Sequence, residues 1–141
     1  MDKGTSFFKF IFYISLLFLI IISLYPGSLL GELIYGDSSL QPNLAFNPIF
    51  TPLPRHLYTI GSIINHFIIY FFITIFGLSI YLRNHNFQKI AYGLFFLSIF
   101  LEILQFLAPR RAFEIYDLSA NFIGVLFAYC IIRIYKSRKK L

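Results

Sequence analysis

The sequence predicts an all-α integral membrane protein: four transmembrane helices in an antiparallel bundle, with the N and C termini cytoplasmic. Three observations lead there. The chain of 141 residues is 58% hydrophobic and 13% charged, with 19 Phe and 10 Tyr. Soluble domains carry about 25% charged residues, so a bilayer is the natural solvent for this composition. Four apolar runs each approach the ~20 residues that cross a ~30 Å hydrocarbon layer. Basic residues flank those runs and are unequally shared between the two sides.

The first run, about 7–24, stops at Tyr25-Pro26-Gly27. Lys3 and Lys9 give it the charge of a secretory leader, but no small-x-small cleavage pattern follows, and we expect an uncleaved anchor. The second, about 57–82, lies between Arg55-His56 and Arg83-Asn84-His85. The third, about 90–108, ends at Pro109, and the fourth, about 115–135, runs into a basic tail at 136–141. None alternates as a barrel strand would, and only helices satisfy their own backbone in lipid. Short links predict that the second, third and fourth helices are antiparallel neighbours. The segment 26–56 holds five of the 6 prolines and is expected to lie on the outer membrane surface or cap the bundle.

Orientation follows from charge. With both termini inside, that side has Lys3, Lys9, Arg83, Lys89, Arg133, Lys136, Arg138, Lys139 and Lys140, against Arg55, Arg110 and Arg111 outside. The net charge of +6 is therefore read as a topology signal and not as a nucleic-acid surface. Tyr25, Tyr58, Tyr81, Tyr116 and Tyr135 are placed for the interfaces. The single cysteine, Cys130, excludes an internal disulfide and a thiolate cluster, and is expected as a small buried hydrophobe.

Against this background a few polar residues stand out. Glu102 and Gln105 share one face of the third helix. Asp117, Asn121 and Gly124 form a stripe on the fourth, and Thr59, Ser62, His66, Tyr70 and Gly77 a polar-and-small stripe on the second. An ionised residue at a helix centre costs about 2.5–3.5 kcal/mol on insertion scales, so such groups face protein or water and pair up. His66, Glu102, Gln105, Asp117 and Asn121 are expected to converge in the outer half of the membrane, with Arg110 and Arg111 just above. Gly124, Ser62, Tyr70 and Gly77 are expected to serve helix packing. Asp117, Asn121 and Gln105 equally suit plain interhelical bonding.

These residues resemble the pattern of the VanZ-like family of small bacterial membrane proteins, named for a teicoplanin-resistance protein. The resemblance covers about 10–135. It rests on Glu102-Ile-Leu-Gln105, Pro109-Arg110-Arg111 and Asp117-Leu-Ser-Ala-Asn121-Phe-Ile-Gly124, with a weaker match at His66-Phe-Ile-Ile-Tyr70. Many members have Asp-Lys where this chain has Ser62-Ile63. The resemblance implies a single four-helix domain of the bacterial cytoplasmic membrane, with some members linked to lower glycopeptide susceptibility, and it implies no settled reaction.

The leading expectation is a non-enzymatic envelope protein whose outward polar pocket binds a membrane lipid or lipid-linked envelope precursor, with no cofactor and no metal. An intramembrane enzyme using His66 with Glu102 or Asp117 is the second class, although no activated nucleophile is evident. A small oligomeric transporter or channel is the third.

Overall fold

The computed structural model describes residues 3–25, 49–51, 57–105, 107–108 and 112–139. Helix α1 spans Lys3–Leu24, α2 Leu57–Ile80, α3 Phe87–Gln105 and α4 Ile115–Arg138. All four are long and apolar enough to cross a membrane. Their ends differ from the hydropathy boundaries for local reasons. The turn before α3 is closed by Asn84, whose Oδ1 accepts the Asn86 N–H at 2.9 Å and whose carbonyl accepts the Phe87 N–H at 3.1 Å. The helix therefore opens at Phe87, three residues before the apolar run. At its other end it closes early at Gln105, and the Ala108 N–H bonds back to the Gln105 carbonyl. Helices α1 and α4 run on past the hydrocarbon stretch through Lys- and Ser-containing turns, because hydropathy marks a membrane slab and not the end of a helix.

Two short strands modify the all-helical expectation. β1, Ile49–Thr51, pairs in parallel with β2, Ala112–Glu114, Ile49 facing Ala112 and Thr51 facing Glu114. Such a pair is marginal alone, but β2 packs on both α3 and α4. Apart from β1, the proline-rich segment and its expected cap over the bundle lie outside the described residues.

The most extensive helix pair is α2 with α4. Ser62 meets Asp117 and His66 meets Asn121, each across 55 positions, so the two helices run in the same direction. α3 opposes α4: Glu102 meets Asn121 near one end, and Phe87 stacks on Tyr129 near the other. The α2–α4 seam is narrow because Ala120, Gly124 and Ala128 put small buried residues one turn apart. A Cβ on Gly124 would stand 2.6 Å from the Phe67 carbonyl oxygen and 3.2 Å from the Phe71 nitrogen. Gly124 is thus where one backbone rests on another.

Helix α1 is peripheral. Its Phe12 ring fills the hollow over Gly77, and Tyr13 shares a 2.9 Å hydrogen bond with Tyr81. Tyr81 is consequently buried, just past the end of α2. Phe7, Phe10, Phe18, Phe72 and Phe96 point outward, as lipid-facing rings should. Cys130 also proves exposed, on the outer face of α4. A small apolar thiol suits lipid as well as a core, so its chemistry never required burial.

Because backbone atoms cannot yield as a side chain can, Gly124→Ala should lower stability by about 1–3 kcal/mol. Gly93→Ala, whose Cβ would meet nothing within 4 Å, should be neutral or slightly stabilising. Unfolding by SDS titration in mixed micelles compares the two.

Candidate functional site

Three helices bring their polar residues into one connected series of hydrogen bonds and a single His–carboxylate contact. It begins at Glu102, which is 0% exposed. The Glu102 Oε1 accepts the backbone N–H of Glu114 at 3.3 Å, and Oε2 accepts Asn121 Nδ2 at 3.2 Å. Glu114 is the residue that caps α4, with extended backbone and no side-chain cap bond of its own. The first amides of a helix lack intrahelical acceptors, so a carboxylate from α3 supplies at the start of α4 what a capping side chain would supply locally.

The Asn121 amide then passes the chain across to α2. With Nδ2 committed to Glu102, its Oδ1 accepts from His66 Nδ1 at 2.9 Å, which places an imidazole proton on Nδ1. His66 Nε2 lies 3.5 Å from Asp117 Oδ2. The same carboxylate oxygen accepts Ser62 Oγ at 3.0 Å. Asp117 Oδ1 is buried with no hydrogen-bond partner among the described residues. Burial varies along the series: Asn121 is 1% exposed, the His66 side chain is 23% exposed, Asp117 is buried and Ser62 is half-buried. Asn121 is six positions into α4, roughly 9 Å along its axis.

The other expected members are distributed around this chain. Gln105 is buried one turn on from Glu102, outside the bonded series. Tyr70 is buried on the α1 side, bonded to Ser23 and within electrostatic reach of Glu102. Gly77 and Gly124 receive neighbouring helices, as described above. Arg110 and Arg111 lie outside the described residues. Two partners were not foreseen in the sequence, the Ser23 hydroxyl and the Glu114 amide. Ser23 ends an apolar run, and a backbone N–H leaves no mark in composition; the short α3–α4 link was the available hint.

The order of the groups limits their chemistry. In a nucleophilic triad the imidazole must touch the hydroxyl and the carboxylate must lie behind the imidazole. Here Asp117 stands between Ser62 and His66, and both ring nitrogens of His66 face protein groups. No group of three potential metal ligands gathers among the described residues. A groove of ≈ 310 Å³ lies elsewhere, near the far end of α4 beside Phe87, Tyr129, Arg133 and Lys136.

Removing Asn121 alone strands a buried carboxylate and a ring N–H. Asn121→Leu should destabilise by about 1–3 kcal/mol, and Glu102→Leu by a similar amount. The double variant should lose clearly less than the sum, because the bond between Glu102 and Asn121 is then lost only once and neither of these two is left facing an absent partner, although the His66 ring N–H and the Glu114 amide stay unpaired. A double-mutant cycle on SDS unfolding measures this.

The sequence profile of the VanZ/LLP1 family matches residues 10–136. No curated protein and no solved structure matches the chain. The matched stretch takes in nearly all of the four helices and every residue of the bonded chain, and the protein, a multi-pass membrane protein by its helices, belongs to the VanZ/LLP1 family.

Proposed function

We propose that this is a non-enzymatic protein of the bacterial cytoplasmic membrane, with both termini inside. Its polar cluster receives the headgroup of a lipid or of a lipid-linked envelope precursor from the outer side. Through that binding it influences susceptibility to glycopeptides of the teicoplanin type. The observation that carries the reading is the contrast between the two ends of the polar series. Its inner end, Glu102 with Asn121, is sealed and bonded, whereas at its other end Ser62 and His66 are partly exposed beside a buried Asp117 whose Oδ1 has no partner among the described residues. A rigid, satisfied base beneath an accessible polar edge suits recognition of hydroxyl and phosphate groups. Arg110 and Arg111, in the link that leads to β2, supply the cations for an anionic headgroup. The orientation is supported by the excess of basic residues at the opposite helix ends.

The binding role predicts that Arg110→Gln, Arg111→Gln and Glu102→Gln each weaken binding of a lipid-linked, phosphate-bearing envelope precursor, roughly tenfold or more. Each variant should still insert. Titration of protein in nanodiscs is the measurement, and parent-like affinity in all three variants would sink the proposal.

Acid–base chemistry by His66 with Asp117 is the rival reading, and their 3.5 Å approach favours it. The binding reading expects that His66→Gln alters affinity without abolishing any turnover. A lipid-linked phosphate or ester that the parent cleaves, and that a His66→Gln variant binds but leaves intact, would transfer the assignment.

A further inference from the structure

The end of the bundle remote from Glu102 carries a second site of different chemistry. The groove there runs between the turn that opens α3 and the last turns of α4, lined among others by Asn84, Phe87, Gln88, Tyr129, Arg133 and Lys136. Its floor is aromatic: the Phe87 and Tyr129 rings stack with centroids 6.1 Å apart. Two cations are held over that floor. Lys136 Nζ lies 4.4 Å from the Phe87 ring centroid. The Arg133 guanidinium lies 5.8 Å from the Tyr129 ring, and its Nη1 donates to the Tyr129 hydroxyl at 3.4 Å. Ring faces position a cation without neutralising it.

No carboxylate answers these charges among the described residues. The described acids are Glu102, Glu114 and Asp117, all at the other end of the bundle. The described part of the fold therefore leaves both cations available to an anion. The level of the groove in the membrane says which. α4 has 24 residues, about 36 Å of helix, so its last turns emerge from a ~30 Å hydrocarbon layer at headgroup height.

We infer that this groove seats the phosphodiester headgroup of an anionic phospholipid, gripped by Arg133 and Lys136 with the Asn84 and Gln88 amides as further polar contacts. Basic pockets at helix ends are suited to such lipids. The site is separate from the polar chain around Glu102 and does not depend on the function proposed for it.

The test is native mass spectrometry of the full chain in mild detergent, titrated with dioleoyl phosphatidylglycerol or dioleoyl phosphatidylcholine. The parent should retain the anionic lipid preferentially. Arg133→Gln with Lys136→Gln should lose about tenfold or more of that affinity, whereas Arg138→Gln with Lys139→Gln, which removes the same charge beyond the groove, should lose no more than about threefold. Lys136→Arg should bind as the parent does. Should the groove double variant fail to fold, Lys136→Gln against Lys139→Gln makes the same comparison. Equal losses in groove and control variants, equal retention of the two lipids by the parent, or displacement of the lipid by excess inorganic phosphate would each overturn the assignment.

Discussion

A carboxylate with no solvent exposure must be met by donors, and Glu102 takes both of its donors from the first turns of α4. One is the amide of Glu114, at the helix cap, and the other is the Asn121 side chain. This contact fixes more than one side chain. It sets the height of α3 against α4, and it determines which end of the Asn121 amide faces α2. Through that amide it sets the tautomer of His66, and through His66 the position of Asp117 relative to Ser62. The polar chain is therefore a consequence of one buried carboxyl group being satisfied by a neighbouring helix.

Satisfaction of that kind explains how strongly polar groups persist in so apolar a chain. Each buried member except the Asp117 Oδ1 spends its hydrogen bonds on another helix, so the series joins α2, α3 and α4 where dispersion forces alone would let them slide. Gly124 works in the same direction by apolar means. It admits the α2 backbone so closely that side chains of ordinary length can bridge the two helices. Packing and polarity are thus two halves of one seam, and the groove near Lys136 lies at its other end.

Much of this was legible from residue order. Runs of apolar residues identified the four helices, because lipid imposes length and composition directly. The spacing of Glu102, Asp117, Asn121 and His66 indicated the shared face, because charge is costly anywhere else. Other features had no comparable signal. The β1–β2 pair joins three-residue stretches far apart in the chain, and its pairing uses backbone groups common to all residues. Cys130 took the opposite environment from the one expected. In a membrane protein the exterior is as oily as the interior, so hydrophobicity does not separate the inside of a bundle from its surface. Gly124 was recognisable as a small contact residue, but nothing in the chain named the Phe67 and Phe71 backbone atoms as its neighbours.

The parallel course of α2 and α4 has an electrostatic consequence. Each helix behaves as a macrodipole, with partial positive charge at its start and partial negative charge at its finish, and side-by-side alignment brings like poles together. In a medium as poorly screening as hydrocarbon that alignment is repulsive unless counter-charges sit at both poles. The carboxylates Glu102 and Asp117 occupy the positive pole of the pair, and Arg133, Lys136 and Arg138 collect at the negative one. The polarised distribution of charge that orients the chain in a membrane is therefore also what allows its two central helices to lie together head to head.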